Sequence, residues 1–184
     1  MKNSLEEFPT CLEARLEELQ QARASLIQVA ELAPEDDGIT GKDSDRWSVA
    51  EIIFHLHLAE KRTAGGLKRV LDSEARNALA EETFLRTEWE RVRSVVGTRT
   101  VHVKSPPRVV PTNTPKRVDA LALIRQSRQE LLSAIQAATY EDLLCVSMPH
   151  PFEVVGVLTG AGWLSVTAFH DLRHAQQIRA MIST

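Results

Sequence analysis

Residues 159–181, T-G-A-G-W-L-S-V-T-A-F-H-D-L-R-H-A-Q-Q-I-R-A-M, decide how the chain is read. Trp163, Thr167, His170, His174, Gln177 and Met181 recur at spacings of 4-3-4-3-4. That is the seam by which a helix faces the interior of a bundle. The segment is predicted as one helix from near Thr159 almost to the last residue, with Leu164, Val166 and Ile178 adding to its apolar side. The uncharged run from Val154 to His170 spans 17 residues and contains three glycines. A membrane span wants about 20 mainly apolar residues, so no membrane role is expected.

Three more amphipathic patterns precede it. The first covers residues 10–33 with Leu12, Leu16, Leu19, Leu26 and Ala30 on one stripe; Thr10 with Glu13 makes a capping-box start, and Ser4 with Glu7 offers an earlier one. Pro34 and the polar run E-D-D-G-I-T-G-K-D-S-D then break the chain. The second begins at Ser48, which pairs with Glu51 as a capping box ahead of Ile52, Ile53 and Leu56, and continues to about Leu71. Gly65–Gly66 marks a weak point in it or a close helix contact.

The third pattern is predicted to start at Thr114–Pro115, with proline at the first helical position, and to end near Ala138. Its stripe is Val118, Leu121, Ile124, Leu131, Leu132 and Ile135, interrupted by Arg128. Between the second and third patterns lies a long connection, residues 73–113. It has room for a short helix over residues 81–96 and then T-V-H-V-K-S-P-P-R-V-V-P, whose prolines exclude helix. The fold class expected is all-α, one domain over residues 1–184. It is read as a four-helix bundle of up-down-down-up type, with one long crossover between the second and third bundle helices.

Composition agrees with a single ordinary globular domain: 184 residues, 43% apolar and 26% charged, with only two cysteines and no CxxC spacing. Far-apart cysteines and an acidic N-terminus point to a reduced, cytoplasmic setting. Charge is uneven. Residues 1–82 carry 10 basic and 17 acidic side chains, while residues 83–117 carry 8 and 2. The basic stretch holds one aromatic suited to base stacking, Trp89, so nucleic-acid binding is not expected. A solvated connection, or a lip that attracts a small anion, fits better.

The chemistry is carried by histidine. Of the six, His170 and His174 stand at i, i+4 in the seam of the last helix, so both imidazoles leave one face one turn apart. About 0.2 such pairs are expected by chance in a chain of this composition, so position carries more weight than spacing. Two inward imidazoles need polar partners, and either a shared metal or buried hydrogen bonds would serve. A third ligand must come from another helix. His55 and His57 both flank the stripe of the second helix, at about 80–120° on opposite sides, and periodicity does not choose between them.

The segment W-S-V-A-E-I-I-F-H-L, residues 47–56, resembles the opening of the second helix in the DinB-like superfamily, which runs W-[ST]-x-x-E-I-x-x-H-L. Residues 150–178 are similar to that family's closing segment, H-P, then G-x-L-T, then W-L, then H-x-x-R-H-x-x-Q-I. The two stretches cover about a fifth of the chain, and the order of elements matches throughout. The resemblance implies a metal held by His55, His170 and His174; imidazole suits Zn, Ni, Cu and Fe alike, and a divalent ion is expected there, Zn or Ni ahead of Fe. The resemblance also implies a homodimer, for which exposed parts of the first and last bundle helices could serve.

Around such a metal, Glu60, Gln177, His57 and His150 are the candidates to support the ligands or wall the site. Asp171 and Arg173 lie about 100° around the helix from the neighbouring histidines and read as surface groups; Trp47 and Trp163 read as core anchors. His102 matches no motif position and reads as exposed. The resemblance implies several chemistries, thiol S-transfer with a bacillithiol-, mycothiol- or glutathione-type thiol and maleylpyruvate isomerisation among them; transfer of such a thiol to an electrophile fits an open metal site and is the reading expected first. The basic connection would then attract a carboxylate-bearing thiol. Metal-dependent hydrolysis and a non-catalytic metal-binding bundle stay open beside it.

Overall fold

A computed structural model describes residues 6–34, 47–99 and 104–183. The helices are α1 (Leu12–Leu32), α2 (Val49–Asp72), α3 (Glu82–Val95), α4 (Arg117–Ile135), α5 (Tyr140–Leu144) and α6 (Gly160–Ile182), with a short 3-10 turn at Pro107–Val109. Strands β1 (Ser147–Pro149) and β2 (Val157–Thr159) pair antiparallel, Met148 opposite Leu158, just before α6. The bundle is built from α1, α2, α4 and α6. α2 packs along α4, and α1 along α6.

Two apolar layers hold the bundle. Leu26 and Val29 from the end of α1 meet Ile52 and Ile53 from the start of α2, Ala120 and Ile124 from the start of α4, and Ala175 and Ile178 from the end of α6. At the other end, Leu19 and Ala22 meet Leu67, Leu131, Ile135, Leu164 and Ala168. A third cluster lies outside the bundle, where Trp89 and Val92 of α3 join Leu158 of β2 and Val166 and Phe169 of α6. α6 is therefore covered from several sides at once.

The caps follow the sequence at α2, where Ser48 Oγ accepts from the Glu51 amide at 3.2 Å and Glu51 Oε2 from the Ser48 amide at 2.7 Å. They differ elsewhere. α1 starts after Cys11, one residue later than Thr10. Lys116 is still extended, so α4 opens at Arg117 and Pro115 precedes the helix instead of occupying its first position. Val118, placed on the core stripe, is 70% exposed, and Leu132 lies at the stripe's edge at 41%. Arg128, which interrupts that stripe, points inward. The hairpin and α5 were not anticipated: three-residue strands are too short to show alternation. The acidic run of residues 35–45, Ser4 and His102 lie outside the described residues.

Glycine lets the start of α6 approach α3. A Cβ on Gly162 would stand 2.3 Å from Glu88 Oε2. Both oxygens of that carboxylate accept from Thr159, from its amide at 2.8 Å and its hydroxyl at 2.7 Å. Thr159 Oγ1 in turn accepts from the Gly162 amide at 2.9 Å, capping α6. Gly66 is a close contact too, since a Cβ there would meet Met148 Sδ at 2.9 Å.

Candidate metal centre

α2 and α6 bring three imidazoles to one point. Nε2 of His170 lies 3.2 Å from Nε2 of His55 and 3.1 Å from Nε2 of His174. The outer nitrogens are already engaged. Nδ1 of His55 donates to the carbonyl oxygen of Val109 at 2.7 Å, and Nδ1 of His174 to Oε1 of Gln177 at 2.8 Å. Carbonyl oxygens only accept, so both Nδ1 atoms carry the proton and both Nε2 atoms present lone pairs. One proton on His170 Nε2 can satisfy at most one of its two neighbours. Three nitrogens aimed this way call for a cation between them.

Burial supports the same protonation states. It pushes His55 and His170 below the ordinary value of 6.5, and brings His174 down to about 3 with help from the neighbouring His55. All three are neutral at physiological pH, the form that binds metal. The spacing fits as well. Two nitrogens about 2.0–2.1 Å from one ion and 3.1–3.2 Å from each other subtend about 100° at it. That lies between the right angle of an octahedron and the tetrahedral angle. The chain's residues therefore fit a divalent ion held by His55, His170 and His174.

His57 turns the other way. Its Nδ1 donates to the Leu123 carbonyl at 2.9 Å, and its ring stacks on Phe54. α2 is covered by α4 on one side and α6 on the other, so both flanks of its stripe are buried, which is why periodicity could not separate the two histidines. His150 is a wall. Its Nδ1 accepts from the Phe152 amide at 3.1 Å, its ring lies 5.3 Å from Trp163, and burial lowers its pKa to about 4.

Glu60 is buried, but its oxygens go to Arg23 at 3.0 Å, Ser127 at 2.7 Å and Arg128 at 2.6 Å. Burial opposes its charge, yet the two guanidiniums outweigh that and hold its pKa below the usual carboxylate value. Asp171, read as a surface group, is 1% exposed and accepts from Arg23 at 2.8 Å and Arg128 at 3.2 Å. Because α6 is covered from several sides, a step of about 100° from His170 leads to α1 and α4 and not to water. This quartet joins all four bundle helices beside the candidate metal site; Arg128 and Glu60 showed in the sequence as polar residues on apolar stripes, whereas the pattern gave no sign of Arg23 or of an inward Asp171.

The triad opens on a cavity of about 1200 Å³. Trp47, Met148, Phe152 and Trp163 supply apolar wall, so the two tryptophans border the site as well as anchoring helix starts. Trp47 packs against His55 with ring centroids 4.7 Å apart, and Trp163 Nε1 donates to the Met148 carbonyl at 3.1 Å. The half-buried Arg173 also lines the cavity and donates to the Thr98 carbonyl. Among the described residues no helix is long and apolar enough to cross a membrane.

No curated protein matches the chain. Among solved structures it is similar to YfiT from Bacillus subtilis, described as a probable metal-dependent hydrolase with an unusual four-helix bundle topology. That likeness has a TM-score of 0.58 at 15% identity and covers 92% of this chain and 84% of the other, which establishes the shared fold. The profile of the DinB superfamily matches residues 18–178. With that match spanning most of its length, the chain belongs to the DinB superfamily.

Proposed function

We propose that this chain is a metal-dependent thiol S-transferase, in which His55, His170 and His174 hold a divalent ion, Zn or Ni ahead of Fe. The observation that carries the reading is the triad itself: three Nε2 atoms converge on the wall of a large cavity, with the tautomers of His55 and His174 set by Val109 and Gln177. When bound, such an ion lowers the pKa of a coordinated thiol or water and leaves a position for it.

The chain's own groups favour thiol over water. A water nucleophile gains from a side chain placed to take its proton. Among the described residues the carboxylates that line the cavity are Glu60 and Asp171, and both are occupied by Arg23 and Arg128. His150, with its pKa near 4, is a poor base at neutral pH. A thiol, with an ordinary pKa of about 8.5 against about 15.7 for water, would give up its proton to solvent more readily at such a site and so depends less on a resident base. Trp47 and Trp163 would enclose the carbon skeleton of an electrophile. Hydrolysis is the second reading, favoured by what YfiT is described to be.

The test is consumption of a thiol with monobromobimane or chlorodinitrobenzene by the metal-loaded and the chelated protein. The reading predicts turnover above background only in the loaded protein, and background rates in His170→Ala. Equal rates in all three would overturn it.

A further inference from the structure

His150 keeps a hydrogen-bond donor on the cavity wall that no described residue uses. Its Nδ1 accepts from the Phe152 amide at 3.1 Å. A backbone N–H only donates, so the proton of the neutral ring sits on Nε2. With Nδ1 turned into its own loop, Nε2 is the nitrogen left to the cavity that His150 lines. Burial disfavours the charged ring and lowers its pKa to about 4, so the donor is neutral at physiological pH.

The ring is held in place before any ligand arrives. The loop between β1 and β2 is closed by the His150 amide on the Gly156 carbonyl at 2.9 Å and by the Val155 amide on the Phe152 carbonyl at 3.0 Å. Gly156 makes the turn with a φ of +78°, which glycine adopts without steric cost. Phe152 and Trp163 flank the imidazole, each with its ring centroid 5.3 Å away. Trp163 stands on the face of α6 that carries His170, seven residues earlier and so about 10 Å along the axis. His150 therefore shares the triad's wall of the cavity, and its field reaches His170.

We infer that Nε2–H of His150 is the donor that recognises an oxygen on the electrophile, a carbonyl or nitro oxygen held beside Trp163 while the sulfur sits at the three histidines. This rests on the transferase reading and narrows its electrophiles to those with such an acceptor. His150 is then a specificity-determining residue and not a base.

The experiment follows the histidine ring ¹⁵N signals of the full-length, Zn-loaded protein by NMR as acetophenone or toluene is added. Acetophenone is an unreactive ketone; toluene has a ring of the same kind and no acceptor. His150 is expected as its Nε2–H tautomer, and its Nε2 signal should shift with acetophenone and stay with toluene. In His150→Phe the affinity for acetophenone should fall about 3–10-fold, as for one neutral hydrogen bond, with toluene binding at its wild-type level. His150→Gln, whose amide offers an N–H, should recover part of the loss. A His150 Nε2 signal unmoved by acetophenone would overturn the inference. So would equal losses of both ligands in His150→Phe, which would leave the residue a packing role alone. Should that variant not fold, the wild-type signals decide. Binding needs no turnover, so the two readings fail separately. A shifted His150 signal in a protein that consumes no thiol sinks the transferase alone; thiol consumption with an unmoved signal sinks the donor alone.

Discussion

The Nδ1–H of His174 donates to Oε1 of Gln177 at 2.8 Å, less than one turn further along α6, and so fixes which nitrogen faces His55 and His170. The support comes from the same helix as the ligand, so it needs no other element to be in register.

Removing that acceptor should loosen the metal without loosening the fold. Gln177→Leu is expected to lower Zn affinity about 10–100-fold in chelator competition, with unchanged circular dichroism. Gln177→Glu keeps an oxygen at the same place and should stay near wild type. Equal affinity in Gln177→Leu would show that the hydrogen bond has no part in holding the ring.

The quartet beside the site should govern stability. Asp171→Asn leaves Arg23 and Arg128 to share Glu60 alone, one uncompensated positive charge in a buried layer. The expected loss is about 3–5 kcal/mol in urea unfolding, because breaking a buried pair strands its partners. A loss below about 1 kcal/mol would mean that water reaches the guanidiniums and screens them.

Gly162 should tolerate no side chain. The Cβ of Gly162→Ala would push Glu88 off the Thr159 amide and hydroxyl and so weaken the cap of α6. A destabilisation of about 1–3 kcal/mol is expected in thermal unfolding. Thr159→Ala in the same background should then add less than it does alone, because the cap is already lost.

His150 gives a pH signature separate from the metal ligands. Burial brings its pKa down to about 4, so its imidazole NMR signals should titrate near there and not near 6.5. The unfolded chain takes up that proton at about 6.5, so between the two values the unfolded state binds more protons. The stability this residue contributes is complete above about pH 6.5 and is lost as pH falls towards 4. His150→Phe should flatten that part of the stability curve. A midpoint near 6.5 in the folded protein would contradict the burial.

Much of the site could be read before any coordinates. The 4-3-4-3-4 seam put His170 and His174 on an inward face, and the structure has their Nε2 atoms 3.1 Å apart. What stayed hidden was set by neighbours distant in sequence. His55 and His57 are both buried because α2 lies between α4 and α6, so a one-sided stripe cannot rank them. Asp171 was misread for the same reason on α6. The acceptor for His55 is a backbone carbonyl in the crossover, and no side-chain pattern marks a carbonyl. The basic stretch of the crossover was visible, but Arg62, Arg69 and Arg173 join it at the cavity only through the fold.

The most direct test is metal content by mass spectrometry of the purified full-length protein, after incubation with Zn and Ni and removal of free ions, beside His55→Ala and His170→Ala. The account predicts about one divalent ion per chain in the wild type and less than about a third in each variant, with helical content intact. A folded wild-type protein that retains no ion, or variants that retain a full equivalent, would contradict it.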